Sequence, residues 1–430
     1  MTFSATAYQN EYLPAGTGEV HGVVTVTAEG EAARGSAVDK AVVLIVDTSG
    51  SMGNPQTKIR AARQAAAAAI VELPDGTWFA VVSGSHQAEC AYPGREAELA
   101  RADERTRSEA AAKMKRLQPE GGTAISTWLD LARKMFEEHP EAIRLAYLLT
   151  DGRNESEERR DLDRVLERCT GVFQCDARGV GSDWEVAELR LVTSTLLGEV
   201  DIISDPDEMD DDFRAFLERA LGKTVGDVRL RIWTPQGSKV RFVRQVAPAI
   251  EDLTAKGEPV NPLTNDFATG AWAGDESRDY HVCVDITPGA VGDEKLAARV
   301  SLVVDGSPVS QALVRAIWTD DEALSTRINA QVAHYTGQAE LAVAIQEGLD
   351  ARKRGDDGTA TVKLGRAVQL AHQSGNENTV RLLQKVVDVE DPDTGTVRLK
   401  RDVEALDEMA LDTRSTRTVR VEAKPPTAST

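Results

Sequence analysis

The sequence predicts an α/β protein: a doubly wound, mostly parallel sheet inserted in an antiparallel β-sandwich, followed by a small helical region. Three observations predict it. From about residue 41 to 222, apolar β-branched runs alternate with helical periodicity, the pattern of a parallel sheet covered on both faces. From about 225 to 320 the hydrophobic period drops to two, as in half-buried antiparallel strands. From about 325 to 412 it returns to helical spacing in short amphipathic segments. At 430 residues the chain is also too long for one core.

Residues 1–40 contain one strand-like stretch, "EVHGVVTVTAEG" (19–30), which precedes the α/β pattern and is expected to pair within the sandwich. That makes the α/β domain (41–222) an insertion. Its first strand is "AVVLIVD", a continuous apolar run suited to a central parallel position. "TKIRAARQAAAAAIVEL" follows as a helix, with Ile59, Ala62, Ala66 and Ile70 at helical spacing and neither Gly nor Pro. "TWFAVVSGS" and "AECAY" read as strands, 103–117 and 124–138 as helices, and "IRLAYLLTD" as another buried strand. A helix near 160–169, the strand "GVFQCDARGVG", a helix near 184–196 and "EVDIIS" continue the alternation. The last helix opens with "DPDEMDDDF", where Asp205 suits the N-cap, Pro206 the first position and Glu208 a capping box.

In the sandwich region (225–320), "VRLRIW" places Val228, Leu230 and Ile232 on one face and Arg229 and Arg231 on the other. "YHVCVDI", "AARVSLVV" and "QALVRAIW" repeat the alternation. The helical region (325–412) has three segments: "AELAVAIQEGLDARKRG", "TVKLGRAVQLAHQSG" and "NTVRLLQKVVDV". The last stretch, 413–430, is polar and Thr-rich and reads as a flexible tail.

Composition excludes several functions. Fifty basic against seventy acidic residues give a net charge of −20, which repels nucleic acid and anionic membrane surfaces. No segment approaches the roughly 20 apolar residues of a membrane helix, and "MTFSATAYQNEYLPAG" lacks both the basic start and the apolar centre of a signal peptide. Cys90, Cys169, Cys175 and Cys283 match no zinc spacing and are read as reduced thiols of a cytoplasmic protein.

The chemistry concentrates at strand ends. "AVVLIVDTSGSMGNP" ends an apolar strand in Asp47, then sets Ser49 and Ser51 on the loop into the next helix. In open α/β sheets, ligands bind at the carboxyl ends of strands beside the point where strand order reverses. Thr123 in "PEGGTAIS" and Asp151 in "LAYLLTDGRN" stand where such a fold brings them alongside. Taken singly, Asp47 reads as a turn or cap residue, Thr123 as a helix N-cap and Asp151-Gly152 as a turn dipeptide. Together they make five hard oxygen donors without His or Cys, a set that suits Mg²⁺ rather than zinc or copper.

"DTSGS" (47–51), Thr123 and "TDG" (150–152) resemble the metal-ion-dependent adhesion site of von Willebrand factor A (VWA) domains. The resemblance implies Mg²⁺ or Mn²⁺ held directly by Ser49, Ser51 and often Thr123. Asp47 and Asp151 then act largely through water, and one position stays open for a Glu or Asp of a protein partner. The order of parts, with "YQNEYLP", "DARGVGSDWEV" and "DESRDYHVCV", is also similar to a bacterial VWA group encoded beside Ser/Thr kinases and phosphopeptide-binding domains. That implies a signalling scaffold; an adaptor subunit for a separate ATPase of the chelatase or MoxR-like type is the alternative. Thr413, Thr416 and Thr418 are candidate phospho-acceptors for a Ser/Thr kinase, to be read by a phosphothreonine-binding protein. A metal-dependent hydrolase is disfavoured: Ser49 stands where a haloacid dehalogenase-type phosphatase needs a second acid, and the six histidines are scattered. The expectation is a non-enzymatic protein.

Overall fold

The computed structural model describes residues 1–30, 38–94 and 97–420. They form two compact units: Met1, Gly30–Val228 and Thr269–Gly274 in one, and Thr2–Glu29, Arg229–Ala268 and Asp275 onward in the other. The first unit is thus inserted between strands of the second. Among the described residues no helix is long and apolar enough to cross a membrane. All four cysteines are free thiols.

The first unit holds the doubly wound sheet. Its strand order is Val200–Ile203, Gln174–Val180, Ile143–Thr150, Lys40–Asp47, Trp78–Gly84, Ala88–Tyr92. The first five run parallel and the sixth antiparallel. Every residue of Ala41–Val46 is buried, as the unbroken apolar run requires of a strand covered on both faces. Val42, Leu44 and Val46 point to one face, against helices Gln56–Val71, Glu104–Met114 and Met209–Gly222. Ala62, Ala66 and Ile70 of the first helix and Phe213, Phe216 and Leu217 of the last fill that layer. Helices Ile125–Glu137, Arg159–Cys169 and Val186–Thr195 contribute buried residues outside this cluster, on the opposite face. From Lys40–Asp47 the chain goes outward to Trp78–Gly84 and then crosses back to Ile143–Thr150. The order therefore reverses between Lys40–Asp47 and Ile143–Thr150, where Asp47 and Asp151 emerge.

The second unit carries the expected sandwich strands. Glu19–Glu29 pairs antiparallel with Ser277–Asp285, so "EVHGVVTVTAEG" does join the later strands. Thr2–Gln9 adds an edge strand to it that the sequence reading leaves unassigned, its burial alternation being weak. The helices Ala330–Lys353, Asp357–Gln373 and Glu377–Val386 belong to the same unit as the strands. Val332 and Tyr335 of the first of these pack on Val23, Val246 and Ala247 of the sandwich.

Several expectations are corrected. The segment "NTVRLLQKVVDV" leaves the helix after Val386, and Val387–Asp391 pairs with Thr396–Leu399 as a hairpin. Asp205 caps a short 3₁₀ turn, accepting from Asp207 N at 3.0 Å, so Glu208 closes no capping box. The expected flexible tail (413–430) is not one through residue 420. A helix spans Ala405–Arg414 and buries Thr413. The following strip is pinned to the sandwich: Ile250 N donates to Thr416 O at 2.8 Å, and Thr418 Oγ1 donates to Val246 O at 2.7 Å. Arg420 then pairs with Asp279 at 3.0 Å. Polar composition misleads here because these polar groups bond to the protein rather than to water. Residues 421–430 of that expected tail lie outside the described residues.

Candidate metal centre

The site is built where three loops meet at the carboxyl ends of the two central strands. Asp47 is the last residue of its strand, and its Oδ1 accepts from Ser49 N at 2.7 Å, closing the turn that sends Ser49 and Ser51 back over the sheet. Two main-chain bonds tie this loop to the segment before Thr123: Glu120 N to Thr48 O at 2.7 Å and Gly50 N to Gly121 O at 2.9 Å. Gly121 has φ +73°, and a Cβ there would lie 2.2 Å from the His86 ring, so the close approach of the loops requires glycine. The third loop follows Ile143–Thr150 and is joined through Ser156 N to Thr123 O at 2.9 Å.

All five residues expected from the sequence come together. Ser49 Oγ and Ser51 Oγ are 2.9 Å apart, and Ser51 Oγ donates to Asp151 Oδ1 at 2.6 Å. A Cβ placed on Gly152 would lie 3.0 Å from Thr123 Oγ1, 3.2 Å from Ser51 Oγ and 3.8 Å from Ser49 Oγ. Three hydroxyls therefore converge beside two fully buried carboxylates. Thr123 is not the helix cap it resembles when read singly. The cap position is Ala124, and the first helical amides are taken by Asn154 Oδ1 at 2.9 Å from Ile125 N and by Glu157 at 3.0 Å from Ser126 N. With capping delegated to the third loop, the Thr123 hydroxyl faces the site.

Two participants are absent from the sequence reading. Thr150 Oγ1 donates to Asp47 Oδ2 at 2.5 Å, so both Asp47 oxygens are held. Lys58 Nζ donates to Asp151 Oδ2 at 2.7 Å with both side chains buried. The signal for Lys58 was in the sequence: it lies one step before Ala62, Ala66 and Ile70 at spacing four, a charge on an apolar helical stripe.

Burial pushes the Asp47 carboxyl up to about 6, against the hydrogen bonds from Ser49 and Thr150 that lower it; the charge of Asp151 adds to the rise. Two buried carboxylates against one ammonium, beside three hydroxyls, leave a net negative pocket whose candidate ligands are all oxygens. Such a donor set, with hydroxyls already gathered on one point, fits a hard divalent cation.

The sequence profile of the von Willebrand factor type A domain matches residues 42–154, and that of the von Willebrand factor type A C-terminal domain matches residues 369–415. No curated protein matches the chain significantly. Among solved structures, a von Willebrand factor type A protein from Catenulispora acidiphila is 48% identical over 98% of this chain and 97% of its own, with a TM-score of 0.93. The ArnB paralog VWA2 from Sulfolobus acidocaldarius shares the fold at 15% identity and TM-score 0.59, over 97% of this chain and 100% of that one. The human COPII-coat protein Sec24c does so at 10% identity and TM-score 0.54, over 89% of this chain and 58% of that one. With a relative so close over its whole length, the chain belongs to the von Willebrand factor type A family.

Proposed function

We propose that this chain is a non-enzymatic scaffold that captures a partner protein through a divalent metal. Asp47, Ser49, Ser51, Thr123 and Asp151 form the holding set, for Mg²⁺ or Mn²⁺. The observation that carries the reading is the convergence of three hydroxyls over Gly152 beside two buried carboxylates. When bound, the ion supplies Lewis acidity to which a Glu or Asp of the partner can coordinate. The chain's own residues do the rest. Thr150 and the Ser49 amide fix the orientation of Asp47, and Lys58 fixes that of Asp151. Membership of a family that often mediates metal-dependent protein contacts supports the reading. The setting in bacterial Ser/Thr-kinase signalling, and a cytoplasmic location, rest on the sequence alone.

Asp47→Ala, or EDTA on the wild type, is expected to abolish partner capture from lysate in Mg²⁺ buffer while circular dichroism stays unchanged. Equal yields with and without chelator would refute it.

A further inference from the structure

On the sandwich, within the second unit, Glu19, His21 and Cys283 stand on neighbouring antiparallel strands, with His21 directly opposite Cys283 in the register. Glu19 Oε1 lies 2.8 Å from His21 Nε2, and Cys283 Sγ lies 3.8 Å from the same nitrogen. All three donor atoms fall within 4.8 Å of one another. We propose that these three side chains form a second metal site, specific for Zn²⁺ and independent of the oxygen-lined centre.

The two distances to the imidazole suit the ion. Zinc bonds of roughly 2.3 Å to sulfur and 2.0–2.1 Å to nitrogen or oxygen imply tetrahedral S···N and N···O edges of about 3.6 and 3.3 Å. Adjustments of about half an ångström or less bring the sulfur and oxygen to the imidazole on that geometry. The surroundings are those of a supported ligand set. His21 Nδ1 is 3.1 Å from His281 Nε2. His281 thus backs the Nδ1 edge of the ring, and a metal bound at Nε2 would take the place of the hydrogen bond to Glu19. Arg241 binds the other oxygen of Glu19, Oε2, which turns Oε1 toward the imidazole. The charges balance: Glu19, Asp285 and a Cys283 thiolate against Arg241 and a divalent cation, with Arg244 paired to Asp252 at 3.0 Å. Binding as a thiolate releases the Cys283 proton to solvent. Three protein donors of mixed N, O and S type select zinc over Mg²⁺, and leave a fourth position for water or an external ligand.

Cobalt distinguishes this site from the first, because only a sulfur donor gives the intense near-ultraviolet thiolate-to-cobalt charge-transfer band. The full-length chain, stripped of metal and kept reduced, is titrated with Co²⁺ and then with Zn²⁺. The expected result is a band saturating at one Co²⁺ per chain, bleached by Zn²⁺. It should survive in Asp47→Ala, vanish in Cys283→Ser, and need at least tenfold more Co²⁺ in His21→Gln and Glu19→Gln. No band in the wild type, or a band undiminished in Cys283→Ser, overturns the proposal. Should Cys283→Ser fail to fold, the two variants on the solvent side decide: unchanged titrations in both overturn it. Chelator-insensitive capture by the wild type, with the cobalt band intact, would sink the adhesion reading alone.

Discussion

Gly152 shows what a single missing carbon does at this site. Its Cα sits below the point shared by Thr123, Ser51 and Ser49, and a methyl there would stand 3.0 Å from the Thr123 hydroxyl. Gly152→Ala is expected to weaken Mn²⁺ binding at least tenfold, about 1.4 kcal/mol, without unfolding the protein. Isothermal titration checks it, and unchanged affinity would mean that the hydroxyls do not act at that point. Lys58 is the complementary case, a residue whose charge stands in for part of the cation. Lys58→Met leaves Asp151 buried with one partner fewer. The metal-free variant should melt a few degrees below wild type. Saturating Mn²⁺ should raise its melting temperature by more than it raises that of wild type. Equal metal-induced shifts in scanning calorimetry would contradict the role given to Lys58. Asp47, Ser49, Ser51, Thr123 and Asp151 were legible because an acid or hydroxyl at the end of an apolar strand stands out against its neighbours. Lys58 stood out only as a charge on an apolar stripe, and the partners of Lys58 and Thr150 were not legible, since no local pattern encodes which atoms lie across a space.

At the scale of elements, the strip from Ala405 to Arg420 illustrates how polar sequence can be ordered. Asp279, itself buried, accepts hydrogen bonds from Thr25 Oγ1 at 2.6 Å, Tyr335 Oη at 2.5 Å and the Arg420 guanidinium at 3.0 Å. It therefore ties an N-terminal strand, a helix and the chain's last described residue together. Asp279→Ala strands three donors, two of them on the sandwich and its helix, and should cost about 3 kcal/mol in urea unfolding. Arg420→Ala removes only a half-exposed partner and should cost under about 1 kcal/mol. Equal losses would show that Asp279 matters only through Arg420. The helix Ala405–Arg414 and the hairpin after Val386 were illegible for a related reason. Val387 and Val389 continue an apolar run that suits either a helix or a strand, and only the pairing with Thr396–Leu399 chooses the strand.

The whole molecule carries −20. An acidic partner must approach a like-charged body before it reaches the metal centre. Association of a net-negative peptide ligand should therefore speed up severalfold as ionic strength rises from 10 to 150 mM, where the screening length falls from roughly 30 to 8 Å. Stopped-flow mixing at saturating Mg²⁺ measures it. A rate that falls with salt would mean that attraction to the site outweighs the body's charge. Across the molecule, the sequence by itself determined the class of each region, the insertion of the α/β part and the oxygen character of the site. Hydrophobic period and residue chemistry are local properties and survive without coordinates. Only the tertiary structure decided that Lys58 pairs with Asp151, that Thr123 is released from capping, that the strip to Arg420 is pinned, and that Glu19, His21 and Cys283 meet. Each of these is a contact between segments distant in the chain, and such contacts are set by strand order and register rather than by the residues' own neighbours.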